Sequence, residues 1–422
     1  MERTMKALRR LSHRAVFAIA ALSLVCGAVL AGEDRDRAEG EGWVAVWGAS
    51  PSDTAAPMPG VTIREHVRLS LGGDQIRIRL SNRFGTSPLT VGPVHVASQH
   101  SGAAIVGATD RVVTFDGAET VTIPTGALAV SDPLNLKVAD LQETAVSIFL
   151  PPGSSTLTIH SIGVATTYVS PPGDFTGETV LPVASTQPTM ILLSNVEVSV
   201  RKDAGAIVTL GDSITDGFKS TVDANHRWPD ILANRIRAQH GQGIITVVNE
   251  GISGNRLRKD IAGPSAQERF DRDVISQTGV RWVTLLAGIS DIGAPGAVDP
   301  PTPRTTDGEL ITAYEQLVIR AHAAGLKIYG CTLTPFEGTR YPGFFAPDKE
   351  RVREAVNQWI RNSGYFDAVI DFDKVVRDPS HPSRILPSFD SGDHLHPNDA
   401  GYRAMANAVD LGLFRGAKDD DD

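Results

Sequence analysis

Near Ala204 the spacing of apolar residues changes from every second position to an alternation of short apolar runs with helical stripes. Few architectures accommodate both patterns in one layer. Before that point Ile76, Ile78 and Leu80 alternate with Arg77 and Arg79, and Val146, Ile148 and Leu150 repeat the pattern, as do Val196, Val198 and Val200. Turn formers separate these runs: Gly72-Gly73-Asp74, Asn82-Arg83-Phe84-Gly85 and Pro151-Pro152-Gly153. Many short alternating strands with such punctuation predict an antiparallel β-sandwich over residues 43–200.

After Ala204 the apolar runs Ala206–Leu210, Ile244–Val248, Trp282–Leu286, Leu326–Cys331 and Ala368–Ile370 alternate with helical stretches. The clearest helix carries Leu310, Ile311, Tyr314, Leu317, Val318 and Ala321 on one stripe, and another carries Val352, Val356, Trp359 and Ile360. Such alternation is the mark of a parallel sheet wrapped by helices. The expected fold class is therefore α/β, a three-layer domain over residues 204–416 preceded by an all-β domain. A length of 422 residues agrees with more than one core.

The ends of the chain read differently. Arg3, Lys6, Arg9, Arg10 and Arg14 precede an apolar run from Ala15 to Ala31, and Glu33-Asp34-Arg35-Asp36 follows. A basic start, a short apolar core and a small residue at Ala31 predict a signal peptide over residues 1–31, with a secreted or periplasmic product. No stable membrane insertion is expected after cleavage, because the run is marginal for spanning a bilayer. The bulky Val25 before Cys26 argues against a lipoprotein site there. Cleavage leaves Cys331 as the single cysteine, set in an apolar strand-like run, so no internal disulfide is expected and Cys331 reads as a small buried hydrophobe. Residues 417–422 form an acidic tail. A formal net charge of -9 disfavours nucleic acid as a partner, since no excess cation is present to neutralise phosphates.

Chemistry-bearing residues cluster where the strands of the second half end. The first strand runs into Gly211-Asp212-Ser213-Ile214-Thr215-Asp216-Gly217. A serine just past a strand and at the start of a helix stands at the carboxyl edge of the sheet, which suits an attacking hydroxyl. A helix cap would use the same residue type. Asn249-Glu250-Gly251-Ile252-Ser253-Gly254-Asn255 follows the second strand, Gly288-Ile289-Ser290-Asp291 the third, and Asp393-His394-Leu395-His396-Pro397 opens the last helix. A parallel sheet gathers all of these on one edge, where α/β ligand sites lie.

Those four blocks, in this order, resemble the SGNH/GDSL hydrolases. The resemblance runs from Val208 to about Leu413, including Arg227-Trp228-Pro229, and the first half resembles the β-rich amino-terminal domain of a bacterial branch of that family. It implies a flavodoxin-like sheet and a serine esterase without a cofactor. Ser213 would attack the ester, with His396 as base and Asp393 as its orienting carboxylate. The backbone N–H groups of Ser213 and Gly251 would bind the oxyanion. The family's third donor is an asparagine amide, and this sequence has Ser290 there instead, which puts turnover rate in doubt more than reaction type. Asp212 and Asp291 are expected to tie loops together rather than to react.

The implied substrate is a small-molecule or glycan ester with a short acyl group, acetyl on carbohydrate included. Two rivals stay open: a carbohydrate-binding protein whose hydrolase site has decayed, motivated by Ser290, and a sugar O-acyltransferase using the same triad. A metal site at Asp393, His394 and His396 is not expected, because histidines two apart point in opposite directions when extended and no further ligand motif accompanies them. The Pro- and Gly-rich segment 294–307 and the aromatics Phe336, Tyr341, Phe344 and Phe345 would flank the catalytic edge as a substrate rim.

Overall fold

A computed structural model describes residues 41–153, 155–239, 244–298 and 303–415. The expected signal peptide at 1–31, Cys26 within it, and the acidic tail at 417–422 lie outside the described residues. The chain from Gly42 onward forms one compact unit.

Its first part is β-rich. A seven-stranded antiparallel sheet centres on Val61–Arg68 and Glu143–Leu150, which pair along their whole lengths from Glu143 opposite Arg68 to Leu150 opposite Val61. A four-stranded sheet joins Glu41–Gly48, Leu193–Arg201, Ile76–Ser81 and Leu128–Val130 in that order. The period-two runs behave as their spacing predicts. Ile76, Ile78 and Leu80 are buried, whereas Arg77 and Arg79 point the other way and pair with the fully buried Glu197. A third, three-stranded sheet is Met190–Ile191, Leu157–His160 and Asp53–Ala55, and its middle strand carries the chain to the catalytic edge described below.

From Gly205 the chain alternates strand and helix. The strands are β1 (Gly205–Gly211), β2 (Ile245–Gly251), β3 (Val280–Leu286), β4 (Lys327–Cys331) and β5 (Ala368–Ile370). They form one five-stranded sheet in the order β2-β1-β3-β4-β5, with every pairing parallel. Residues Ala206 to Leu210 of the central strand are all fully buried, as a strand covered on both faces must be. Each buried isoleucine, valine or leucine there is worth about 1.5–3 kcal/mol relative to exposure.

The intervening helices are α1 (Ser213–Asp216), α2 (Trp228–Ala238), α3 (Ala266–Phe270), α4 (Ile289–Gly293), α5 (Asp307–Ala323), α6 (Pro347–Asn362), α7 (Phe372–Val376) and α8 (Asp399–Ala408). Helix α5 starts at a capping box, in which Thr306 and Glu309 each satisfy the other's backbone N–H. It buries Leu310, Tyr314, Leu317, Val318 and Ala321, the predicted stripe. Successive residues of β4 show where these helices lie. Tyr329 packs against Phe414, whereas the backbone of Gly330 lies against Phe366, which packs with Tyr314 of α5 and Trp359 of α6. Neighbouring strand residues face opposite ways, so helical material covers both faces of the sheet.

Not every helix face follows the apolar pattern. Helix α6 also buries Lys349, Glu350, Arg353 and Asn357. Arg353 Nη1 donates to Asp373 Oδ1 at 2.7 Å, and Lys349 Nζ donates to the carbonyls of Gly293, Pro295 and Gly343. The lysine thereby ties α4 to the aromatic loop beside it, a buried use of charge that periodicity does not reveal.

Candidate active site

The carboxyl end of β1 turns sharply into α1. Asp212 caps that short helix, its Oδ1 accepting from Ile214 N–H at 3.0 Å, a contact worth about 1 kcal/mol in helix caps generally. Ser213 is therefore the first helical residue and not the cap, which leaves its hydroxyl free to face the cleft. Its Oγ lies 2.9 Å from His396 Nε2. On the far side of the ring His396 Nδ1 is 2.7 Å from Asp393 Oδ2.

The segment before α8 is built to hold that pair. Asp393 Oδ1 accepts from the backbone N–H groups of Leu395 and His396 at 3.0 and 2.9 Å, so the carboxylate is fixed before it meets the ring. Asn398 then caps α8 by accepting from Ala400 and Gly401. Phe218 meets the imidazole edge-on with ring centroids 4.9 Å apart, and Tyr341 does so at 6.5 Å. Ser213, Asp393 and His396 are 6%, 8% and 3% exposed, so the three groups interact largely out of water. Burial would raise the Asp393 carboxyl, but the hydrogen bonds and charge of His396, with the two backbone N–H groups, overcome it and hold the acid well below the usual carboxylate range.

A cleft of about 470 Å³ opens over Ser213. Ile162, Phe218, Ile261, Val298, Tyr341, Phe344 and Leu395 form its apolar walls, and Ser253, Gly254, Arg256 and Ser290 add polar groups beside Ser213 and His396. Of the four aromatics expected at the rim, Tyr341 and Phe344 line the cleft. Phe336 is fully buried beneath them, and Phe345 packs on Phe336 with ring centroids 5.1 Å apart. A second, polar groove of about 380 Å³ shares Ile261 with the cleft and is lined by Asp53, Arg83, Phe84, Asp260 and Glu268 among others.

The glycine assignment needs correction. Gly251 does not face the cleft: its N–H donates to Asn249 Oδ1 at 3.0 Å, and a Cβ there would lie 2.2 Å from Asp216 N and 2.6 Å from Asp216 Cα. It is a glycine because α1 packs directly on the end of β2 at that point. Gly254, three residues on and at φ +78°, lines the cleft with Ser213 and Ser290. Both glycines occur in one block of the sequence, and only the turn between them decides which reaches the reacting centre.

The remaining candidates fall as follows. Ser290 is 6% exposed and lines the cleft from the first turn of α4. Asp291 accepts from the N–H groups of Leu257 and Arg258 at 2.7 and 3.2 Å, tying the β2 and β3 loops together. His394 is an exposed residue bonded to Asp390. Cys331 is 1% exposed, and burial pushes its thiol up, which suits a packing residue and not a nucleophile.

Sequence reasoning missed the polar core under this edge. Arg269 is fully buried: Nη1 donates to Ser50 Oγ and Glu250 O at 2.8 and 2.7 Å, Nη2 to Gly211 O at 2.9 Å, and Nε to Asn255 Oδ1 at 3.1 Å. One guanidinium thus joins the ends of β1 and β2 to the amino-terminal part. Glu250 also accepts from Ser50 Oγ and from Gln277 Nε2, and burial first, then the charge of Asp273, raises its acid well above the usual range.

Burial likewise pushes the Asp212 carboxyl up to about 7, against the bond from Ile214 and with the charge of Asp291 adding to the rise. The unfolded value is about 3.9. A raised acid contributes its full stability below the unfolded pKa and loses it as pH rises through the folded one. Asp212→Asn keeps the capping oxygen and cannot ionise, so it is expected to raise Tm by a few degrees at pH 8 and to change it little at pH 4. Equal shifts at both pH values would contradict this account.

Residues 209–404 match the model of the GDSL-like Lipase/Acylhydrolase family. No curated protein matches the chain significantly. Among solved structures, similarity extends to an aryl esterase of M. smegmatis at 16% identity, covering 48% of this chain and 95% of that one with a TM-score of 0.39. An acetylxylan esterase from Geobacillus stearothermophilus is 22% identical over 48% of this chain and 91% of its own, with a TM-score of 0.37. A GDSL-like lipase from Bacteroides thetaiotaomicron is 16% identical over 49% and 87% respectively, also at 0.37.

Proposed function

Since residues 209–404 form a GDSL-like lipase/acylhydrolase domain, which makes the chain a carboxylic ester hydrolase, we propose that it cleaves short-chain acyl esters through an acyl-enzyme on Ser213. The observation that carries this reading is the unbroken chain from Ser213 Oγ through His396 to Asp393 at the floor of an apolar cleft. Ser213 Oγ attacks the ester carbonyl carbon while its proton passes to His396 Nε2. Asp393 accepts from Nδ1–H and stabilises the imidazolium. The carbonyl oxygen, now an oxyanion, takes hydrogen bonds from the N–H groups of Ser213 and Gly254 and from the Ser290 hydroxyl. The C–O bond to the alcohol then breaks, and the imidazolium proton leaves with the alcohol. Water, deprotonated by His396, repeats the attack on the acyl-enzyme and frees the acid.

The apolar walls suit the acyl chain, and the polar groove beyond Ile261 suits a hydroxyl-rich alcohol, with Phe84 and Arg83 beside Asp260 and Glu268. Acetylated carbohydrate is the substrate class this combination favours. The strand order of the parallel sheet supports reading residues 204–416 as a three-layer flavodoxin-like domain, with residues 43–200 as a β-sandwich domain before it. The basic-then-apolar opening up to Ala31 supports export. Among the described residues no helix is long and apolar enough to cross a membrane.

The direct test is labelling by a fluorophosphonate, with the modified residue located by mass spectrometry, alongside hydrolysis of an aryl acetate and of acetylated xylo-oligosaccharides. Label on Ser213 and turnover of both substrates are expected. No label would favour the decayed-site alternative, which Ser290 alone motivates. Hydrolysis of the aryl acetate without the glycan ester would remove the carbohydrate assignment.

Ser290 makes a separate prediction. A serine hydroxyl is shorter than an asparagine amide, and one oxyanion donor is worth roughly a hundred- to a thousandfold in turnover. Ser290→Asn is therefore expected to raise kcat at least about tenfold, read in the same aryl ester assay. An unchanged or lower kcat would reject the idea that this position limits the rate.

A further inference from the structure

The amino-terminal part touches the active site at one place where a charged side chain is committed to a contact with the nucleophile block. We infer that His160, at the end of the strand Leu157–His160, is a positioning residue for the oxyanion site, acting through Asp216 on the Ser253–Gly254 turn. The inference rests on the reading of Ser213 as nucleophile and Gly254 as oxyanion donor.

His160 is 6% exposed. Its Nδ1 lies 2.9 Å from Ser50 O, and its Nε2 lies 3.1 Å from Ile162 O and 3.0 Å from Asp216 Oδ1. All three neighbours are acceptors, so both ring nitrogens must donate and the imidazole is the doubly protonated cation. Its partner Asp216 is 2% exposed and closes α1, three residues after the nucleophile. Asp216 Oδ2 accepts from Ser253 N–H at 2.8 Å and from Ser253 Oγ–H at 2.5 Å. One carboxylate therefore joins a cation from the amino-terminal part to the residue directly before Gly254.

Two further contacts explain why this link matters for position. The end of β2 is already clamped to α1 on its other side, where Asn249 Nδ2 donates to Thr215 O at 2.9 Å and Gly251 lies against the Asp216 backbone. Beyond that clamp the chain swings toward the cleft, and Asp216 accepts both of the Ser253 groups at the start of that swing. Without the imidazolium, Asp216 becomes a buried carboxylate that has lost its cation, and such groups recruit water or shift to regain solvation. The nearest other cation in its field, Arg227, is held by Asp230 through two hydrogen bonds at 2.7 and 3.0 Å. Ile162, two residues after His160, lines the cleft itself. The segment from His160 to Ile162 thus supplies the site with both a strut and a wall.

The role predicts a change in the chemical step and not in substrate capture. In the full chain, His160→Ala and His160→Gln are expected to lower kcat for a short-chain aryl ester about tenfold or more, with KM within about twofold. The rate of fluorophosphonate labelling should fall in parallel, because the phosphonyl oxygen uses the same donors. Ser253→Ala removes the other end of the link, and combining it with His160→Gln should cost less than the product of the two separate losses. Unchanged kcat in folded His160 variants, a loss confined to KM, or fully multiplicative losses in the double variant would each overturn the inference. Should His160→Ala fail to fold, the His160→Gln and Ser253→Ala pair still decides it. Activity that survives Ser213→Ala would instead overturn the reading beneath it, whatever the His160 variants do.

Discussion

Replacing Ser213 with alanine is expected to lower kcat/KM for a short-chain aryl ester by roughly 10⁴-fold or more. Ser213 Oγ is the atom in contact with His396 Nε2, and alanine offers no other nucleophile at that point. What survives is background hydrolysis helped by the oxyanion donors and by binding, both of which the variant keeps. Fluorophosphonate labelling should disappear with the activity. Stability should change little, because the side chain makes a single hydrogen bond and Asp212, not Ser213, caps α1. Retention of a tenth of the activity or more would dismiss Ser213 as nucleophile, provided the variant protein is free of wild-type chain.

Asp393→Asn is expected to cost nearly as much, on the order of 10⁴ in kcat. The wild-type carboxylate spends one oxygen on the N–H groups of Leu395 and His396 and the other on His396 Nδ1. An asparagine oxygen can keep the backbone contacts, which turns its NH₂ group toward Nδ1. The ring must then accept at Nδ1 and carry its proton on Nε2, the wrong tautomer for taking a proton from Ser213. The pH dependence separates this from a general loss of structure. An acid with a depressed folded pKa contributes stability above its unfolded pKa of about 3.9, and that contribution drains away as pH falls through the lower folded value. Wild type and variant should therefore differ in Tm at pH 7 and converge as pH falls well below 4. An activity loss under tenfold would mean that the carboxylate does not set the tautomer.

Much of this architecture is written in local patterns. Period two in Ile76, Ile78 and Leu80 and a helical stripe from Leu310 to Ala321 each depend only on neighbours within a few residues, and both formed as spaced. The triad could be located from sequence for a related reason. A parallel sheet places the residue after every strand on one edge, so Ser213 and His396, 183 positions apart, meet once the alternation of strands and helices is recognised. The same logic brought Ser290 to the cleft.

Gly251 and Gly254 mark where that logic stops. Both follow β2 in one short block, and the choice between them depends on how closely α1 packs on the strand end and on where Asp216 fastens Ser253. His160, Ser50, Glu250 and Arg269 were illegible for a stronger reason. In the sequence they are ordinary polar residues of strands and helices, and their partners lie up to 219 positions away. Alternation and helical stripes arise from backbone geometry, so the sequence alone determined the layers and the edge that carries the chemistry. Which buried charges meet across that edge depends on the packing of the β-rich part against the parallel sheet. Desolvated ions tolerate only partners in direct contact, and tertiary structure alone brings such partners together.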